Sequence, residues 1–231
     1  MTQVDEIRIG QVAPLGPVQS GIDKQPVAGP IMLTMDGFAG DEQGDRRRHG
    51  TPDKAVHHYP SEHYALWRAE LGALPPLRPG GFGENLVTSG LTEADVALGD
   101  RFRLGGALIR VSQGRQPCFR LNLRFGLPDM ARRVLASGRS GWYYRVIEPG
   151  LVAPGDRLER VARVLPDWPL TRLWRILYVD LLDREALAEM AALTLLPEGW
   201  RKYARARLDS GRVEDWSARL DGPHCGNARD R

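Results

Sequence analysis

The stretch Arg110-Val-Ser-Gln-Gly-Arg-Gln-Pro-Cys-Phe-Arg-Leu-Asn-Leu-Arg-Phe125 decides how the rest of the chain is read. It leaves an alternating strand, with Leu108, Arg110 and Ser112 on one face and Ala107, Ile109 and Val111 on the other, then turns at Gly114. Pro117 fixes its own φ and has no N–H for a ladder, so Cys118 is expected where the sheet has stopped and the backbone is stiff. Arg115 and Arg120 flank the thiol, and nearby cations favour the thiolate that serves as nucleophile or soft-metal ligand. The plainer reading of Cys118 is a small buried hydrophobe. This stretch alone leaves both open.

Outward from it, short strands alternate with turn pairs: Leu86–Thr88, Asp95–Leu98 and Arg101–Leu104, separated by Ser89-Gly90, Gly99-Asp100 and Gly105-Gly106. Val96-Ala-Leu-Gly-Asp-Arg-Phe102 is echoed by Val152-Ala-Pro-Gly-Asp-Arg-Leu158, and two equivalent turn-and-strand units suit a closed sheet. Earlier strands are expected over 6–12 and 30–35, and a further one over 141–147. Helices are expected after Ser61, ending at Gly72, and over 128–137, with Pro128 in its first position. From about Leu165 the pattern changes to three short amphipathic helices, over 168–179, 183–193 and 197–208, with Asp183 as a cap. The fold class is therefore mainly β with α: a barrel over 1–165, a small helical domain over 166–210 and a polar, disordered tail over 211–231.

The chain has 231 residues, a hydrophobic fraction of 42% and two cysteines, Cys118 and Cys225, so no disulfide framework is implied. No basic leader opens it and no stretch approaches a membrane span, which makes a cytoplasmic protein without a membrane partner the expectation. Only three of its 32 basic residues are lysines, namely Lys24, Lys54 and Lys202. In a chain that otherwise uses arginine, a retained lysine marks a place that needs a compact ammonium, and this singles out Lys24 and Lys54. The aperiodic segment 38–59, ending in Lys54-Ala-Val-His57-His58-Tyr59, is long enough to suggest function. Gly80-Gly-Phe-Gly83 is either a plain turn or a backbone cradle whose N–H groups face an anion.

Residue types exclude some chemistry. His49, His57, His58 and His63 lack the H-E-x-x-H spacing, and no C-x-x-C completes a zinc tetrad. A dyad of Cys118 with His49 or His57 is possible by type, with no spacing to single it out. Basic residues interleave with acids and form no stripe, so no nucleic-acid polymer is expected. What remains is a loop-built pocket offering cations and one soft ligand, suited to an organic cofactor that carries both an anion and a thiophilic centre.

Ser20-Gly-Ile-Asp-Lys24-Gln-Pro-Val27, Asp45-Arg-Arg-Arg-His49-Gly-Thr-Pro-Asp-Lys54, Gly83-Glu84-Asn85-Leu86, Gly99-Asp100 and Gly114-Arg115-Gln-Pro-Cys118 together resemble the MOSC domain family. Gly141-Trp-Tyr-Tyr-Arg-Val146 and the C-terminal helices resemble its YiiM-like branch. Thr51 stands where that family often has a second glycine, and Gly114 where a proline is common. The resemblance implies a MOSC-type β-barrel followed by a three-helix domain, which binds molybdenum cofactor with Cys118 as the metal's thiolate ligand. It implies cofactor contacts from Lys24, His49, Lys54, Asn85 and Arg115, with Cys118, Lys24 and Asn85 in catalysis. The implied reaction is reduction of N-hydroxylated compounds such as 6-hydroxylaminopurine to amines, with an electron-donating reductase as partner. The family also contains non-catalytic cofactor carriers and sulfur-transfer modules, and a plain interaction domain is a third possibility.

Overall fold

The computed structural model describes residues 2–44 and 50–222. Seven strands close a barrel. They are β1 (Thr2–Ile9), β2 (Val56–Pro60), β3 (Leu86–Thr88), β4 (Arg101–Leu104), β5 (Ala107–Gly114), β6 (Trp142–Glu148) and β7 (Arg157–Ala162). Their order around the barrel is β1-β3-β2-β6-β5-β4-β7, and β7 pairs back onto β1. The period-2 pattern explains which side faces in: Ile109 and Val111 of β5, and Trp142, Tyr144 and Val146 of β6, are fully buried in the barrel core.

All neighbours are antiparallel except β2 and β3, which run parallel. Parallel neighbours need a crossover, and this one contains helix α1 (Glu62–Leu71) and the glycine-rich run. The echoed turns are equivalent: Asp100 accepts from Ala97 N–H at 3.0 Å and Asp156 from Ala153 N–H at 2.8 Å. The strands that follow them, β4 and β7, lie side by side. Strand β1 runs over different residues from those expected, because at Gly10 the chain leaves the barrel and Gly10 N–H donates to Asp41 at 2.8 Å.

Two short helices follow Cys118, α2 (Arg120–Phe125) and α3 (Met130–Ser137). The three C-terminal helices are α4 (Leu170–Tyr178), α5 (Arg184–Ala192) and α6 (Glu198–Ser210). Asp183 caps α5, accepting from Ala186 N–H at 3.1 Å. The helices continue the barrel's core: Leu170, Leu173, Leu177 and Trp200 belong to the same buried cluster as Val111 and Trp142. The tail expected to be disordered over 211–231 instead carries, in its described part, a one-turn helix, α7 (Ser217–Leu220), with Leu220 buried. Its fixings are long-range polar contacts, to which local composition is blind. Cys225 and His49 lie outside the described residues. No helix among the described residues is long and apolar enough to cross a membrane.

Candidate functional site

Strand β5 ends at Gly114, and Arg115 N–H donates to Gly141 O at 3.0 Å as the chain turns away from β6. Pro117 follows, and Cys118 sits half-buried two residues before α2. Its thiol lines a pocket together with Lys24, Lys54, Asn85 and Arg115. Five of the six residues singled out from the sequence therefore meet at one place, and the sixth, His49, is outside the described residues.

Each arrives on a different element. Lys54 ends a one-turn helix, Pro52–Lys54, pinned to the barrel by Ser112 Oγ, which donates to Asp53 O at 2.6 Å, and by Arg145, which pairs with Asp53 at 2.7 Å. Lys24 lies in the 20–27 loop, which packs so tightly on the 41–44 loop that a Cβ at Gly21 would stand 2.2 Å from Glu42 O. Lys24 is buried and its ammonium pairs with Asp41. Burial pulls the Lys24 pKa below the usual lysine range, and Asp41 opposes that pull.

Asn85 stands next to β3. Its Nδ2 donates to Arg8 O at 3.0 Å and to Asp41 Oδ2 at 2.9 Å, while Oδ1 accepts from His57 N–H at 3.0 Å. Both amide hydrogens are thus engaged within the protein, so Asn85 frames the pocket and aims Asp41, whereas the resemblance implies a part for it in catalysis. Asp41 is the pocket residue that sequence reasoning missed. One acid among 29 carries no signature; the available hint was its place at the start of the long aperiodic segment.

The Gly80–Gly83 run also differs from the cradle reading. Glu84 is fully buried and its carboxylate accepts from Gly80 N–H at 2.6 Å, Phe82 N–H at 3.1 Å and the Tyr64 hydroxyl. Gly81 N–H goes to Tyr64 Oη at 3.2 Å and Gly83 N–H to Gly80 O at 3.2 Å. Two of the four N–H groups go to the chain's own Glu84 and the other two to neighbouring oxygens, leaving none for a ligand. Gly83, at φ +77°, is required for another reason: a Cβ there would come within 2.7 Å of Ile22 in the pocket wall.

Arg115 is the informative cation. It is only 7% exposed, its Nη2 reaches Phe82 O at 3.4 Å, and its Nη1 is buried with no partner. With Lys24 it reinforces the effect of burial on His57, whose pKa lies well below the usual histidine value, so that the ring is neutral. Four cationic side chains and two carboxylates line the pocket, one of those carboxylates already paired with Lys24. Tyr143 adds an aromatic wall, while the Phe82 ring is turned into the core against Tyr59 and Phe125. Such a pocket suits an anionic, partly aromatic ligand. Among the described residues no group of three or more His, Cys, Asp or Glu side chains is placed to hold a metal ion. A metal at Cys118 would need its other ligands from an organic carrier, and the orphaned Arg115 donor fits the anionic part of one.

Residues 45–159 match the family model of the MOSC domain, and residues 168–211 match that of the YiiM-like 3-alpha helix domain. The chain is 42% identical over 209 residues to Protein YiiM of Escherichia coli, spanning 88% of this chain and 91% of that protein. A protein of Gibberella moniliformis named Reductase is 36% identical over 197 residues, which is 84% of this chain and 35% of that longer protein. The crystal structure of YiiM from Escherichia coli superposes with a TM-score of 0.81 at 36% identity, covering 95% of this chain and 98% of that one.

Proposed function

Since the chain belongs to the MOSC domain family, in its YiiM-like branch, we propose that it is a molybdenum-cofactor oxidoreductase that reduces N-hydroxylated compounds, such as 6-hydroxylaminopurine, to amines. The observation that carries this reading is the pairing, in one pocket, of a half-buried thiol, Cys118, with a buried guanidinium whose Nη1 has no protein partner. When bound, the cofactor supplies two-electron reduction of the N–O bond with electrons from a separate reductase, so that two protons turn the hydroxylamine into amine and water.

The protein's share is binding, orientation and proton supply. Cys118 offers the thiolate ligand to molybdenum, and Arg115 and Lys54 hold the pterin phosphate, with His49 assigned to the same task. Lys24 holds a proton at Nζ inside the pocket. Its depressed pKa makes it a better acid than a solvated lysine, and Asp41, aimed by Asn85, keeps the ammonium in place. Tyr143 flanks a planar base and helps keep water from it.

The test is molybdenum content of the native chain and Cys118→Ser, both purified from a host that makes the cofactor, followed by turnover of 6-hydroxylaminopurine with a chemical electron donor. Metal and turnover in the native chain, both lost in the variant, are expected. Metal retained by Cys118→Ser, or absent from the native chain, would sink the proposal. Bound cofactor without turnover would point instead to the carrier or sulfur-transfer role.

A further inference from the structure

The short segment between β5 and α2 cannot hold itself. Pro117 has no N–H, the ladder has ended, and three backbone groups around Cys118 need partners. All three find them on Arg219. Its guanidinium donates from Nη2 to Gln116 O and from Nε to Pro117 O, each at 3.1 Å, and its own carbonyl accepts Phe119 N–H at 2.8 Å.

Arg219 is itself fixed from both sides. Towards the helical domain, Glu214 pairs with the fully buried Arg207 at 2.7 Å, and the Trp216 ring lies 5.7 Å from that of Tyr178 and 4.9 Å from that of Tyr203. Towards α2 and α3, Leu220 O accepts from Asn122 Nδ2 at 2.8 Å, and Asp221 takes a two-pronged contact from Arg132 at 2.8 and 2.6 Å. Neither matched family model covers this stretch, since the second ends at residue 211.

We infer that residues 212–222 form a strap, anchored on the C-terminal helices, through which Arg219 acts as a positioning residue for Cys118. The strap fixes the direction in which the thiol is presented. The consequence for cofactor binding rests on the reading of Cys118 as the molybdenum ligand; the hold on the loop does not.

The experiment uses the full-length protein without cofactor, in a Cys225→Ser background so that Cys118 is the only thiol. Alkylation by iodoacetamide is followed by intact mass across pH 6 to 10 for Arg219, Arg219→Ala and Arg219→Lys. At the high-pH plateau the thiol is ionised in every variant, so the rate there reports access alone and is free of any change in acidity. Loss of two hydrogen bonds from a charged donor should populate local opening and raise the plateau of Arg219→Ala roughly tenfold. Arg219→Lys, lacking the fork, should fall between, and ethylguanidinium should slow Arg219→Ala back towards the parent. A plateau within twofold of the parent in a folded Arg219→Ala would overturn the inference. If that variant does not fold, an unchanged plateau in Arg219→Lys would overturn it equally. Parent protein that carries no molybdenum would count against the cofactor reading and leave these rates as they are.

Discussion

Arg115 is a residue whose cost and use can be separated by experiment. A buried guanidinium with an unmet donor destabilises the empty protein, and the same unmet donor favours an anionic ligand. Arg115→Met should therefore move two quantities in opposite directions. The cofactor-free variant should gain on the order of 1–2 kcal/mol and melt several degrees higher. Cofactor retention in equilibrium dialysis should fall about 10- to 100-fold, as expected for the loss of a charge-assisted bond. A cofactor-free Arg115→Met that melts lower would show that the guanidinium has a structural partner, and the anion reading would fail. The scarcity of lysine made Lys24 and Lys54 legible in the sequence, because a rare residue type carries information. Asp41 was not legible, although it organises both Lys24 and Asn85, because its role exists only once three distant segments meet.

At the scale of elements, β2 has all five residues buried, including two histidines. His58 bridges Tyr144 Oη at 3.0 Å and Thr88 Oγ1 at 2.7 Å, and burial lowers its pKa to about 3. The unfolded chain takes up this proton near pH 6.5, whereas the folded chain refuses it until about pH 3. Stability from His58 is thus complete above pH 6.5 and is lost as pH falls through that window, by about 1.4 kcal/mol per pH unit. Glu84 works the other way, since burial raises its carboxyl pKa and the folded state gains as the pH falls towards it. Comparison with His58→Gln cancels that contribution: the variant should lose less stability than the parent between pH 7 and pH 5 in urea unfolding. Equal losses would mean that His58 is already charged in the fold. Local repetition made the twin turns at Asp100 and Asp156 readable in advance, since each closes on an N–H three residues away. The Gly80 run stayed open between a turn and a cradle because composition does not show what its N–H groups bond to, and two of them go to Glu84. The strap escaped notice because a few anchoring side chains in a polar stretch look like a tail until their distant partners are in place.

At the scale of the whole molecule, these contacts predict one cooperative unfolding unit in which the barrel and the helical region melt together. Leu98 N–H donates to Trp168 O at 2.9 Å and Leu170 N–H to Val96 O at 3.0 Å, so the first turn of the helical region is bonded to the barrel's backbone. Leu170, Leu173, Ile176, Leu177, Met190 and Trp200 lie in the same buried cluster as the barrel interior. Burial of a large apolar side chain is worth roughly 1.5–3 kcal/mol, so these six together contribute on the order of 10 kcal/mol. That is as large as the net stability of a typical domain, about 5–15 kcal/mol. A chain ending at residue 165 should therefore fail to give a cooperative melt, while the full chain should show one calorimetric transition whose van't Hoff and calorimetric enthalpies agree. A truncated chain that melts cooperatively near the full-length temperature would refute the shared core. If the core is shared, the helices and the strap belong to the support of the Cys118 loop. Substitutions in the α4–α6 interface should then disturb the thiol's presentation before they disturb the barrel, because the loop depends on Arg219, and one side of the strap that carries it is anchored on those helices.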